Sequence, residues 1–223
     1  MAYILSIETS TTNCSVSLSK EGETLVLKED NNKNYSHAES LHVFINDVIK
    51  ASGISKSSID AIAVSKGPGS YTGLRIGVSA AKGLSFALNK PLISISTLEA
   101  LAHQININEG IIIPMLDARR MEVYSAIFDS RHHMIRQIEA QIIDNDSFSK
   151  YLNDGNVYFL GNAVEKTASV ITNTHAIFAE GKFPSANEMS ALAYQKYKKS
   201  DIEDVAYFEP FYLKDFIAIK PKK

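Results

Sequence analysis

At 223 residues, 45 % hydrophobic and 22 % charged, the chain has the apolar content for one large core or two modest ones, which argues against a disordered protein. A net charge of -2 gives no global attraction to nucleic acid, so an autonomous RNA binder is not expected. The single cysteine, Cys14, rules out an intramolecular disulfide and a cysteine-based zinc site, and its alternating surroundings fit a small buried hydrophobe.

The opening MAYILSIETS has no basic stretch and turns polar by Glu8, so it reads as a first strand. No apolar run approaches the roughly 20 residues needed to span a bilayer, and a cytoplasmic protein without a membrane partner is expected. Tyr3 to Ile7, the alternating run Cys14, Val16 and Leu18, and Leu25 to Leu27 after a Glu21-Gly22 turn predict a three-stranded meander. Ser36 and Glu39 form a capping box for a helix carrying Leu41, Ile45, Val48 and Ile49 and stopping at Gly53. Ile59 to Val64 predicts a further strand.

The stretch SKGPGSYTGLRIGVSAAKG, Ser65 to Gly83, follows that strand and opens the next helix. Gly67, Gly69, Gly73 and Gly77 match neither phosphate-binding pattern tested. A dinucleotide fingerprint needs glycine at Thr72, and a P-loop needs Gly-Lys five residues after its first glycine, where Gly67 leads to Thr72 and Gly69 to Leu74. Pro68-Gly69 reads as a tight turn and Thr72 as a helix cap. Gly73, Gly77 and Ala81 then recur every fourth residue on one face. A stripe of small residues permits close approach, either by this chain's own sheet or by another molecule.

That helix is expected to end near Asn89-Lys90-Pro91, followed by a strand at Leu92 to Ile95 and a helix capped by Ser96 and Glu99. The order β-β-β-α-β-α-β-α by about residue 104 is that of the ribonuclease H-like lobe, which the actin, Hsp70 and sugar kinase group contains twice. Strands at Ile111 to Leu116, Glu122 to Phe128 and Ile135 to Ile143 predict a second meander. A short helix from Asp146 to Tyr151, a strand at Val157 to Leu160 and a helix from Asn187 to Lys198 complete an abbreviated copy, with no second glycine loop between Gly161 and Pro184. The expectation is two α/β lobes, residues 1–104 and 105–223, with the last helix or tail packing back on the first. The tail carries aromatics from Phe208 and ends in Lys220, Lys222 and Lys223, read as solvated.

No catalytic set assembles from one motif. The turn Glu8-Thr9-Ser10-Thr11 stands where actin-like ATPases open with Asp-x-Gly, but its acid is one methylene longer and Ser10 replaces the glycine; a hydroxyl-rich turn also satisfies its own backbone. His37 and His42, five residues apart, project about 140° apart on a helix and cannot share a metal; they read as surface or cap histidines. His132 and His133 read as turn residues without partners. Asp117, Arg119 and Glu122 read as an ion-pair network holding a turn. No Gly-x-Ser-x-Gly elbow supports a hydrolase.

ILSIETST, SKGPGSYTGLRIGVSAAKGLS, STLEALA, DARRMEVY and EPFYLK together resemble the TsaB (YeaZ) proteins of bacterial tRNA threonylcarbamoyladenosine synthesis, while Ile135 to Lys182 carries little signature. The resemblance implies a two-lobed actin-like fold and a non-catalytic, metal-free paralogue of TsaD. It also implies partnership with TsaD and the ATPase TsaE, so that TsaD transfers threonylcarbamoyl from its adenylate to the adenosine beside the anticodon of tRNAs reading codons that begin with A. It further implies a homodimer when alone, tRNA contact only through the complex, no cofactor of its own, and ATP or ADP only within the complex. Carried onto this chain, the helices after Ser36 and from Thr72 would form the partner surface as half of a four-helix bundle. Gly73, Gly77 and Ala81 would let the bundle close, and Leu41, Ile45 and Val48, exposed, would fill it. Glu8, Thr9, Ser10, Gly67, Gly69, Ser70, Thr72 and Arg75 would stand near any nucleotide. The rival reading is an ATP-binding ATPase or phosphotransferase with its site at Glu8 to Asn13 and the glycine loop.

Overall fold

The computed structural model describes residues 1–31 and 37–214. A meander of β1 (Tyr3–Glu8), β2 (Cys14–Lys20) and β3 (Glu23–Asp30) opens the chain, and β4 (Ala61–Gly67) and β5 (Leu92–Ser96) extend the sheet in parallel on the far side of β1, giving the order β3-β2-β1-β4-β5. Between them run α1 (His37–Ser52), a 3-10 turn at Lys56–Ser58 and α2 (Tyr71–Leu88), and α3 (Thr97–Ala102) follows β5. The second sheet repeats the arrangement with β6 (Ile111–Asp117), β7 (Glu122–Asp129), β8 (Met134–Ile142), β9 (Val157–Leu160) and β10 (Ala176–Ala179), in the order β8-β7-β6-β9-β10.

The second lobe is abbreviated in its helices, not its sheet. α4 (Ser149–Asp154) and α5 (Val164–Ala168) have 6 and 5 residues where α1 and α2 have 16 and 18. The sequence missed α5 and β10, because segments this short do not complete a readable hydrophobic period. It placed α4 three residues early: Asp144 to Ser149 form hydrogen-bonded turns, with Asp144 accepting from the Ser147 hydroxyl at 2.7 Å.

Two caps can be compared with expectation. Ser96 caps α3 by accepting from the Glu99 amide, as read from sequence. For α2 the cap is Ser70, whose hydroxyl accepts from the Gly73 amide at 3.3 Å, and Thr72 lies inside the first turn; the sequence expectation was two residues late. The box on Ser36 lies outside the described residues.

Alternation divides the first sheet between two layers. Leu5, Ile7, Val16, Leu18 and Val64 pack against α1 and α2. Ile4, Ala63, Ile93 and Ile95 pack against α6 (Ala186–Lys198) through Ala186, Met189, Leu192 and Ala193. The serines that alternate along β2 are therefore buried: the Ser17 hydroxyl donates to the Ala186 carbonyl at 2.8 Å, and the Ser15 hydroxyl accepts from the Ala186 amide at 2.9 Å. A polar stripe that would ordinarily face water is matched by the open N-terminal turn of a helix.

Candidate partner groove and interlobe cleft

The glycine stripe of α2 faces inward. A Cβ on Gly73 would lie 2.1 Å from the Thr9 carbonyl oxygen, one on Gly77 would lie 2.2 Å from Thr9 Oγ1, and Ala81 is fully buried. Thr9 completes this joint by donating its hydroxyl to the Gly73 carbonyl at 2.8 Å. Close approach by the chain's own β1–β2 turn is what these small residues serve.

Leu41, Ile45 and Val48 are likewise 0 %, 6 % and 0 % exposed within the first core, each contributing about 1.5–3 kcal/mol by burial. The expectation that they stand exposed for a partner is corrected: the strongest apolar stripe of α1 is claimed by its own sheet.

What remains open is a groove between α1 and α2. Ala38 and His42 supply one wall, and Arg75, Ile76, Ser79, Ala80, Gly83 and Leu84 the other, around about 580 Å³. On α2 this stripe is offset by one residue, about 100° of rotation, from Gly73-Gly77-Ala81. Gly83 is its distinctive member, since a Cβ there would meet nothing within 4 Å. Phe86, three residues on and 84 % exposed, extends the same side. Sequence reading missed the groove, although a third helical glycine, Gly83, out of register with the other two was a visible signal.

A second concavity, about 520 Å³, lies between the lobes. Ser10, Gly69, Ser70 and Thr72 enter it from the first lobe, Asp117, Arg119, Tyr124 and Asn162 from the second, and Phe211 to Lys214 from the tail. Of the loop residues singled out from sequence, Ser10, Gly69, Ser70 and Thr72 meet at this cleft. Thr9 is packed behind it, Arg75 lies on the groove, and Gly67, at φ +108°, is pressed against the Phe211 carbonyl.

Glu8 is sealed in the interior. Its Oε1 accepts from the Ser10 amide at 2.6 Å and the Ser65 hydroxyl at 2.8 Å, while Oε2 has no hydrogen-bond partner among the described residues. Burial pushes the carboxyl pKa upward, against the lowering effect of those two bonds. Because the folded value is raised, the stability this group contributes is fully present below its unfolded value near 4.5 and is lost as pH climbs through the folded value. Glu8→Gln is therefore expected to flatten the decline in stability above pH 4.5, so that the variant gains on the parent between pH 5 and pH 8. Urea unfolding at both pH values checks this, and parallel pH profiles would contradict it.

The charged cluster departs from expectation in its cations. Asp117 pairs with Lys166, which also donates to the Arg120 carbonyl at 2.9 Å, and Glu122 pairs with Lys214. Arg119 contributes its backbone amide to Asp117 at 2.9 Å and lines the cleft. His42 is exposed, as read from sequence, while the other three histidines singled out there differ. His37 is buried with Nε2 2.6 Å from the Thr11 carbonyl, and His132 stacks on His103 at 4.3 Å. His133 pairs with Asp129 at 3.1 Å.

Residues 31–221 match the family model described as TsaD, tRNA N6-adenosine threonylcarbamoyltransferase. Over 97 % of its length the chain is 28 % identical to the tRNA threonylcarbamoyladenosine biosynthesis proteins TsaB of Haemophilus influenzae and Escherichia coli, covering 95 % and 96 % of them. YeaZ from Pseudomonas aeruginosa superposes with a TM-score of 0.82 at 25 % identity, over 96 % of this chain and all of that one. The chain belongs to the TsaB (YeaZ) family. A tRNA N6-adenosine threonylcarbamoyltransferase from Staphylococcus aureus is 34 % identical, but over only 51 % of this chain and 38 % of its own length. The likeness to TsaB and YeaZ thus extends through both lobes. The two actin-like lobes expected for a TsaB protein are those seen here, with the duplicated sheet as their common plan.

Proposed function

We propose that this TsaB-family chain is a non-catalytic scaffold and activator in the synthesis of N6-threonylcarbamoyladenosine on tRNA. It docks a TsaD-type paralogue in the groove between α1 and α2. The observation that carries the reading is that groove: an apolar helical stripe in which Ile76, Ala80 and Leu84 are only half-buried against the first core and Gly83 stands open, while the neighbouring stripe of Gly73, Gly77 and Ala81 is buried. A homodimer of the free chain would use the same face. A TsaE-type ATPase joins the assembled complex, tRNA is held by that complex, and any nucleotide belongs to it. Sequestration of Glu8 supports an accessory role, because the one acid of the opening turn lies behind the cleft with no exposed surface.

The reading is tested by reconstituting the modification from cognate TsaD and TsaE with and without this chain. Product should fall to background when it is omitted, and undiminished product would overturn the reading. The ATPase reading is favoured by one observation, the hydroxyl-lined interlobe cleft with Arg119 at its wall. Calorimetric titration of the isolated chain with magnesium ATP separates the two: stoichiometric binding with turnover supports an enzyme, and its absence supports the scaffold.

A further inference from the structure

The chain does not end at its last helix. Beyond α6, Glu203 bridges to Leu92 on β5, and Lys82 of α2 donates to the Ala206 and Phe208 carbonyls at 3.2 and 2.9 Å. The chain then lines the interlobe cleft from Phe211 to Lys214. Phe211 donates its amide to the Lys66 carbonyl at 2.7 Å, and the Tyr212 ring lies 4.9 Å from that of Tyr71. Lys214 reaches Glu122 on β7. Phe211 to Lys214 is thus a strap tied to both lobes.

One side chain belongs both to the strap's seat and to the groove. Arg75 donates from Nε to the Tyr212 hydroxyl at 3.4 Å and lays its guanidinium over Tyr71 at 4.5 Å, while it lines the α1–α2 groove beside Ile76. With the strap seated, the Arg75 head is drawn toward the N-terminal end of α2. With the strap released, Tyr212 no longer holds it, and a long, solvent-exposed arginine regains rotamers that a docking partner must freeze again.

We propose that seating of the strap and docking of a partner in the groove are coupled through Arg75, so that the strap-seated chain is the binding-competent form. This inference rests on the groove reading above. The cost of immobilising one such side chain corresponds to a factor of about two to ten in affinity. By linkage, the partner must favour strap seating by the same factor.

Affinity for the cognate TsaD chain, measured by titration calorimetry, provides the test. Tyr212→Ala should weaken binding by about two- to tenfold in the parent and have no effect in an Arg75→Ala background. The partner should also slow hydrogen exchange at the Phe211 amide. Gly83→Arg serves as the control for the groove itself. If Gly83→Arg abolishes binding while Tyr212→Ala leaves it unchanged or tighter, the coupling is overturned and the groove reading stands. An equal loss from Tyr212→Ala with and without Arg75 would mean that the strap touches the partner directly, which overturns the Arg75 route. If Gly83→Arg binds as the parent does, the groove reading falls and the coupling with it.

Discussion

Gly83→Arg is expected to weaken binding of a cognate TsaD chain at least 100-fold while leaving the fold intact. The position is open, so the new side chain creates no clash within this chain, and replacing glycine inside a helix contributes up to about 1 kcal/mol of stability. Docking a helix across the groove would bury the new guanidinium without a partner, a cost of about 2–5 kcal/mol, and a 100-fold loss corresponds to about 2.7 kcal/mol. Titration calorimetry of the variant beside a thermal melt separates the two effects. A variant that melts at or above the parent temperature and binds TsaD as the parent does would remove the groove from consideration. The homodimer proposed for the free chain should be lost in step, as read by light scattering.

Gly73→Ala is expected to act on the fold. Its Cβ would meet a backbone oxygen of Thr9, and backbone cannot swing aside as a flexible side chain can. Overpacking of this kind costs about 1–3 kcal/mol and sometimes more, against about 1 kcal/mol gained in helix propensity. A net loss of up to about 2 kcal/mol, or up to about 4–8 °C in melting temperature, is expected. Gly83→Ala in the same helix should stabilise by a few tenths to 1 kcal/mol. Gly77 lies on the same inward face, so Gly77→Leu would press on Thr9 and destabilise the chain without reporting on a partner interface. Equal melting temperatures for Gly73→Ala and Gly83→Ala would refute this division of the helix.

Periodicity carried much of the fold, and the reason is local. Cys14, Val16 and Leu18 alternate because β2 has two faces, and Ser96 with Glu99 marks a helix start because hydroxyl and amide meet within one turn. What periodicity could not say is what covers a face. The alternation in β2 leaves open what its serines face until α6, some 170 residues away in sequence, is seen lying on them. The same blindness misassigned α1 and α2: Leu41, Ile45 and Val48 form the clearest apolar stripe and are for that reason the core, whereas the open groove is weakly apolar and contains alanine, glycine and serine. The interlobe cleft was legible only on its first-lobe side. Arg119, Asn162 and Tyr212 come to it from three distant segments that share no motif.

The crossing of α6 onto the first sheet also bears on how this molecule could be cut. The halves that resemble each other in strand order are not the halves that could stand apart: a fragment ending near residue 104 would present Ile4, Ala63, Ile93 and Ile95 bare to water, and its complement would carry a helix with nothing to lie on. Duplication is visible in the topology, yet each copy has surrendered self-sufficiency to the other. Complementation between two separately produced pieces would succeed only where both copies, and the loan of that one helix, are restored together.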